Sequence, residues 1–201
     1  DTAFGVDCAA DTIAEVVNYA KIEARWMKWL RSVSRLYLGS QAGIGWIGPS
    51  DSIERWQPAT DFGLASSDGS TGRLYLHGGD RLHVYDCAAD SFTGSAACTG
   101  DLHSAYLIRD MAKLYLMMTD STLRVYDTRG DTFLPPLSMP SGRLDYNPVT
   151  RRLYSGGQWF CEIDPVTDSV LQRQQRSSIR AFTVNTASNE SSPAGGASDR
   201  V

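Results

Sequence analysis

The sequence has no long hydrophobic run and no excess of basic residues. Of its 201 residues 42% are hydrophobic, but no apolar stretch approaches the roughly 20 residues that cross a bilayer, so we expect no membrane insertion. Asp and Glu outnumber Lys and Arg by 23 to 19, and the net charge of -4 offers no general attraction to phosphate backbones. We therefore expect a globular protein that does not bind nucleic acid.

Cysteines and histidines are few, and their spacing matches no metal-binding pattern. The four cysteines show no C-x-x-C spacing, and no two of the three histidines are four residues apart; these residues are Cys8, Cys87, Cys98, Cys161, His77, His83 and His103. Cys8 and Cys87 stand at the same place in two copies of a motif, so we interpret them as small buried turn residues. The one disulfide pair worth testing is Cys87 with Cys98. The sequence predicts no metal site and no cofactor.

What the sequence does contain is an internal repeat of about forty residues. The segments RLYLGS, RLYLHG, KLYLMM and RLYSGG begin at Arg35, Arg73, Lys113 and Arg152, at intervals of 38, 40 and 39 residues. Each is followed at a matching distance by a second element, of which VYDCAADSF, from Val84, and VYDTRGDTF, from Val125, are the clearest copies. Such a period is typical of repeat architectures.

Each copy has the pattern of short β-strands. Apolar and polar residues alternate with a period of two, and short polar stretches such as HGGD separate the strands. In the Asp-x-x-x-Asp element, we expect Asp86 and Asp127 to accept hydrogen bonds from turn amides, and Asp90 and Asp131 to cap the return. Four strands in about 40 residues predict an all-β fold, the β-propeller, with a sandwich as the alternative architecture.

The RLY segments, the VYDCAAD element and DYNPVTRRLY, from Asp145 to Tyr154, resemble the YVTN family of β-propeller repeats. The resemblance covers residues 5 to 12 and about 30 to 189, and departs from the family at residues 18 to 34. It implies a propeller fold, which serves as a binding surface, a cell-surface module or occasionally an enzyme scaffold. Because many such propellers are exported, it also implies an extracellular, cell-surface or periplasmic location.

The domain organisation follows from the repeat. We expect one β-propeller over residues 1–187 and a flexible polar tail over 188–201. The expected blades are residues 19–58, 59–98, 99–138 and 139–176, with a composite fifth blade, lacking its second strand, made of 1–18 and 177–187. The two termini would then close the ring, giving a monomer. An excised part of a larger propeller, with a tendency to domain-swapped oligomers, is the alternative.

Two other motifs have structural interpretations. GIGWIG, from Gly43 to Gly48, matches G-x-G-x-x-G, but Pro49 and the strand pattern of the repeat exclude the helix that a dinucleotide site needs. The tyrosines of the RLY segments recur with the repeat, which indicates packing between blades. Trp56 and Trp159 do not keep the period, and we interpret them as candidates for exposed contacts.

The candidate ligand site lies at the start of the innermost strands, which propellers usually present to the mouth of the central channel. The matched positions there are Arg25, Gly63, His103, Gly142 and Arg180, with Arg143 beside Gly142. We predict that Arg25, His103, Arg143 and Arg180 bind a ligand, because converging cationic groups focus a positive potential. A small anionic ligand would suit such a site.

The leading functional hypothesis is a non-catalytic propeller that binds a protein or a small ligand on one face or at the channel mouth. The first alternative is a lyase or hydrolase that uses His103 with nearby acids. The second is an architectural surface-layer or adhesion module. A pocket with convergent carboxylates would favour the enzyme.

Overall fold

The structure is a computed structural model. It describes the backbone of residues 2–7, 12–18, 24–40, 42–47, 53–58, 62–175, 182–185 and 190–193, and the side chains of 24–40, 42–47, 57 and 62–175. The described residues contain β-strands and one short 3₁₀ helix, Arg109–Met111, but no α-helix. The all-β prediction is therefore confirmed.

Four antiparallel sheets are each built from consecutive strands. The first has β3 Trp26–Leu30, β4 Arg35–Ser40, β5 Gly43–Ile47 and β6 Ile53–Pro58, and the second has β7 Gly63–Asp68, β8 Arg73–Gly78, β9 Arg81–Asp86 and β10 Ser91–Ala97. The third has β11 Leu102–Ile108, β12 Lys113–Met118, β13 Thr122–Asp127, β14 Thr132–Phe133 and β15 Leu137–Ser138, and the fourth has β16 Gly142–Asn147, β17 Arg152–Gly157, β18 Trp159–Asp164 and β19 Ser169–Gln175. The G-x-G-x-x-G match lies on β5, so the prediction that no helix begins there is confirmed for residues 43–47.

Two further sheets each have two strands among the described residues. β1 Thr2–Asp7 pairs with β2 Thr12–Asn18, and β20 Phe182–Asn185 pairs with β21 Glu190–Pro193. The sequence predicts a missing second strand and a flexible tail from residue 188, whereas β21 is a strand within that stretch. The expectation was wrong there because ESSP lacks the apolar alternation by which the other strands were found.

The chain divides into two compact units, residues 1–79 with 83–93 and residues 80–82 with 94–201. In the first unit, a core of Leu30, Tyr37, Ile44, Leu74, Leu76 and Tyr85 joins the β3–β6 sheet to residues of the β7–β10 sheet. In the second unit, a core that includes Tyr115, Met117, Val125, Leu144, Leu153 and Ile163 joins the β11–β15 sheet to the β16–β19 sheet. Both cores form because the alternating apolar residues of one sheet face those of the next.

In two of the RLY or KLY segments, the first and third residues bind the turn of the following sheet. In the first unit, Arg35 Nη1 and Tyr37 Oη donate hydrogen bonds to the carbonyl oxygen of Cys87, at 3.2 and 3.0 Å. In the second, Lys113 Nζ and Tyr115 Oη donate to the equivalent carbonyl oxygen, that of Pro165, at 2.8 and 3.3 Å. Within each unit, the strand segment of one sheet thus holds the turn element of the next. The predicted packing role of these tyrosines is confirmed for Tyr37 and Tyr115, and it includes a hydrogen bond.

The turns confirm one predicted role for aspartate and show a further one. Asp86 accepts hydrogen bonds from the amides of Ala88 and Ala89, at 2.8 and 2.9 Å, as the sequence predicts. The second aspartates, predicted to cap the return, also accept hydrogen bonds from tyrosine hydroxyls: Asp90 from Tyr85 and Asp131 from Tyr126. Both have positive φ, 54° and 49°, a conformation that aspartate tolerates better than most residues. The sequence did not show this because it does not tell which tyrosines face a turn.

Candidate functional site

An open cleft of about 720 Å³ lies where β11 and β16 begin, within the second unit. Its described lining comes from residues 103–105 of β11, residues 141–144 at the start of β16, and residues 156–157 at the end of β17. Cavities of roughly 300–1,000 Å³ are typical of small-ligand sites. The cleft therefore has the size of a binding site, although it is open to solvent on one side.

His103 occupies a β-bulge on β11. Leu102 pairs with Met118 and Ser104 with Met117, so two successive partners on β12 face three residues of β11, and His103 is the extra residue. Bulges redirect a side chain out of the regular alternation and are frequent beside functional sites. The His103 side chain is exposed and lines the cleft.

Ser104 joins the two strands that flank the cleft. Its hydroxyl donates a hydrogen bond to the carbonyl oxygen of Gly142 at 2.9 Å and accepts one from the amide of Leu144 at 3.2 Å. One side chain thereby satisfies two backbone groups of the neighbouring sheet. This arrangement fixes β16 against β11 and holds Arg143, between the two bonded residues, at the rim.

Glycines form one wall of the cleft because the backbones approach closely there. A Cβ atom on Gly142 would lie 2.6 Å from the carbonyl oxygen of Gly156, and one on Gly157 would lie 2.8 Å from that of Ser141. Real Cβ atoms essentially never come so close. The two strands can therefore pack this closely only because these residues have no side chains, and this close packing shapes the wall.

The described lining residues carry two cationic or ionisable side chains and no carboxylate. Arg143 and His103 are both exposed, and in the described part of the chain neither has a hydrogen-bond or ion-pair partner. Several other basic residues of this unit have partners, namely Arg81, Lys113, Arg124, Arg151, Arg152 and Arg173. Among the described residues, the cleft thus offers donors that no other group of the protein engages.

Of the four predicted ligand-binding residues, the structure brings together His103 and Arg143. Arg25 belongs to the other compact unit, where its backbone amide donates to the carbonyl oxygen of Gly39 at 2.8 Å and its side chain is exposed. Arg180 lies outside the described residues. Sequence reasoning missed Ser104, Gly156 and Gly157 as parts of the site; the GG pair at the end of β17 was the available signal, since paired glycines mark close backbone approach.

The remaining candidates belong to the structure of the sheets. Cys87, Cys98 and Cys161 are buried thiols that form no disulfide, so the Cys87–Cys98 pair is not bonded. Trp159, expected to be exposed, is partly buried against the core, whereas Trp29, which the sequence analysis did not select, is 55% exposed. Trp56 has no described side chain. Among the described residues no group of three His, Cys, Asp or Glu side chains is placed to hold a metal ion.

Burial raises the pKa of the buried thiols. The pKa of Cys87 is about 12, because burial disfavours the thiolate and the neighbouring aspartates add to the effect, although the Tyr37 hydrogen bond opposes it. The pKa of Cys98 is raised to about 11, again chiefly by burial. These cysteines therefore lack the lowered pKa of a nucleophile.

Comparison with known proteins identifies a fold and no family. No family model matches the chain, and no curated protein does. Solved structures do: in the crystal structure of the mitotic checkpoint complex, a chain with 13% identity matches at a TM-score of 0.70, over 88% of this chain and 58% of that one. The hydrazine synthase of Kuenenia stuttgartiensis matches at 11% identity and a TM-score of 0.64, over 83% of this chain and 53% of that one.

These neighbours are propellers of the WD40 type, so the chain has a propeller-like all-β fold. It spans less than two thirds of the length of either neighbour. At these identities the likeness concerns the fold alone, because a propeller hosts many unrelated functions. Within the described residues, no helix is long and apolar enough to span a membrane.

Proposed function

We propose that this protein is a non-catalytic binding module that holds a protein partner at the cleft between β11 and β16. The observation that carries the proposal is the pairing, in one cleft, of Arg143 and the bulged His103, two exposed side chains with no partner among the described residues. Loops and strand ends on a rigid scaffold commonly provide recognition surfaces. The neighbour from the mitotic checkpoint complex, a protein assembly, supports a protein as the partner.

The alternative of a lyase or hydrolase receives less support from the cleft. Such an enzyme would use His103 with nearby acids, but no Asp or Glu is among the described residues that line the cleft. A general acid or base must lie within hydrogen-bond reach of its reaction partner. Ligand binding by the donors of His103 and Arg143 needs no nearby carboxylate, and ligand binding is therefore the function that we favour.

For the architecture, we propose five blades of the YVTN type closed by the two termini, in an extracytoplasmic protein. The four sheets of consecutive strands supply four blades, and the β1–β2 and β20–β21 pairs would supply parts of the fifth. Closing the ring would remove the exposed edges of these short sheets. Slow hydrogen exchange at the amides of residues 182–185, in a monomer by mass, is the expected result; rapid exchange in a domain-swapped oligomer would argue against closure.

A peptide array tests the binding function directly. The protein is applied to immobilised peptides of varied sequence, together with Ser141→Trp, which fills the cleft, and Gln172→Trp, which places the same side chain on an exposed position of β19 outside it. We expect a set of peptides bound by the wild type and by Gln172→Trp and lost with Ser141→Trp. Binding that survives in Ser141→Trp would refute the cleft as the site.

A further inference from the structure

We propose that the group recognised in this cleft is a carboxylate, supplied by an Asp or Glu side chain of the partner peptide. This inference rests on the proposed function and adds the chemistry of the ligand to it. It depends on three features of the cleft: its charge, the chemistry of its donors, and the glycines of its wall.

The charge of the cleft is opposite to that of the protein as a whole. The chain carries a net charge of -4, yet the described lining contains Arg143 and His103 and no acidic residue. An arginine without a carboxylate partner at the rim of a concave site attracts an anion, because the low-dielectric walls focus its field. Other basic side chains of this unit are held by carboxylates, hydroxyls or carbonyls, whereas Arg143 has no such partner in the described part of the chain.

The donors of the cleft suit a singly charged planar anion. The guanidinium of Arg143 presents a fork of N–H groups that matches the two oxygens of a carboxylate, and an imidazole N–H of His103 is a further donor. Sites for phosphate dianions gather more positive charge than one arginine, and a protein with 23 acidic residues against 19 basic ones repels a dianion more strongly than a monoanion. We therefore assign the site to carboxylate.

The glycine wall favours a carboxylate that is attached to a peptide. Gly142 and Gly156 are buried and Gly157 is partly exposed, and none of the three carries a side chain, so a chain that enters from the open side meets no side chain from this wall. The open side of the cleft leaves room for the residues that flank the acidic side chain. The hydroxyl of Ser104 is already engaged with Gly142 and Leu144, which keeps the wall in place.

Titration of the ¹⁵N-labelled protein with two short peptides tests this assignment. The probes are acetyl-Gly-Gly-Glu-Gly-Gly-amide and the same peptide with Gln in place of Glu, at constant ionic strength. We expect the Glu peptide to shift the amide resonances of residues 103–105 and 141–144 and to bind at least about tenfold more tightly than the Gln peptide, a difference of about 1.4 kcal/mol.

Matched variants separate a specific site from general attraction. Arg143→Gln and His103→Gln should weaken the binding of the Glu peptide, the first by about tenfold or more, whereas Arg129→Gln, on an exposed turn of the same unit, should leave it unchanged. Equal loss in Arg129→Gln and Arg143→Gln would overturn the proposal, as would equal binding of the two peptides. Tighter binding of inorganic phosphate than of the Glu peptide would reassign the site to phosphate and overturn it too.

The experiment distinguishes failure of this inference from failure of the proposed function. If the Glu and Gln peptides bind equally and Ser141→Trp abolishes the binding of both, the cleft is a binding site that does not recognise a carboxylate. If Ser141→Trp leaves binding of the array peptides intact, the cleft is not the site and both proposals fail.

Discussion

Ser104 and Gly142 are joined across two sheets by a hydrogen bond of 2.9 Å from the serine hydroxyl to the glycine carbonyl oxygen. Because the same hydroxyl accepts from the amide of Leu144 at 3.2 Å, one side chain of β11 bonds two backbone groups of β16. All three residues line the cleft. The stability of this unit and the geometry of its candidate site therefore depend on the same contact.

Replacing Ser104 with alanine should destabilise the protein and weaken binding at the cleft. The substitution leaves a carbonyl and an amide without their shared partner, at a cost of about 1–3 kcal/mol. Urea denaturation followed by tryptophan fluorescence measures the loss. Ser95→Ala is the control, because Ser95 Oγ accepts its hydrogen bonds from Arg81 at an exposed position, and it should change the free energy of unfolding by less than about 0.5 kcal/mol. Equal effects in the two variants would contradict the role assigned to Ser104.

Removing the hydroxyl of Tyr115 should test the contact that links a repeat to the following turn. Tyr115 Oη donates to Asp168 Oδ1 at 2.5 Å and to the carbonyl oxygen of Pro165 at 3.3 Å. Burial, and then the Asp168 carboxylate, raise the pKa of Tyr115 above its usual value, so it remains a donor across the accessible pH range. We expect Tyr115→Phe to lower the free energy of unfolding by about 1–3 kcal/mol.

Tyr146→Phe is the matched control for that variant. Tyr146 is also buried, but in the described part of the chain its hydroxyl has no hydrogen-bond partner. Thermal unfolding of the two variants should therefore show a clear decrease in Tm for Tyr115→Phe and almost none for Tyr146→Phe. Unchanged stability in Tyr115→Phe would show that packing and the contacts of Lys113 hold the turn without the tyrosine hydroxyl.

A methyl group on Gly142 should deform the wall of the cleft. Its Cβ would lie 2.6 Å from the backbone oxygen of Gly156 and 2.7 Å from Ser155 Oγ, and backbone cannot move aside as a flexible side chain can. We expect Gly142→Ala to cost about 1–3 kcal/mol in calorimetric unfolding, as overpacked sites do. Gly94→Ala, whose Cβ would have no atom within 4 Å, should be neutral or slightly stabilising. A neutral Gly142→Ala would mean that β16 and β17 separate easily.

The buried cysteines should resist alkylation in the folded protein. With pKa values of about 12 for Cys87 and about 11 for Cys98, almost no thiolate forms at pH 8, and the thiolate is the reactive species. Raising the pH to 9 increases the thiolate fraction but leaves it small. Iodoacetamide labelling read by peptide mass should modify both residues quickly in denaturant and slowly without it. Rapid labelling of native Cys87 would contradict its burial.

The sequence determined the local structure well where the repeat is regular. An alternating pattern requires one face of a strand to be buried, so the RLY and VYD elements predict strands, and the aspartate that ends each VYD predicts a turn. The structure has strands at these places, as in β8, β9, β12 and β13. The ESSP stretch of β21 is polar, and there the same reasoning missed a strand. That strand is defined by its pairing with β20, because it lacks the apolar alternation that marks the other strands.

The candidate site could be predicted only in part. Aligning the repeats selected His103 and Arg143, since equivalent positions in a repeat fall at equivalent places in successive sheets. The alignment could not show the bulge at which His103 is the extra residue. It also could not show how closely the backbones approach at Gly142 and Gly157, which line the cleft. Both arise from contacts between strands, and the identity of one residue does not specify its distance from another.

The sequence by itself thus determined strands, turns and their recurrence, because these depend on residues that are near one another along the chain. Only the tertiary structure decided which polar groups remain without partners, since that depends on what each sheet brings against the next. Tyr115 and Arg143 illustrate the difference: both were visible in the repeat, but the first is used within the fold, at Asp168 and Pro165, and the second lines a cleft. The difference between a residue that stabilises the fold and one that lines the cleft arises from long-range packing, which a local sequence pattern does not specify.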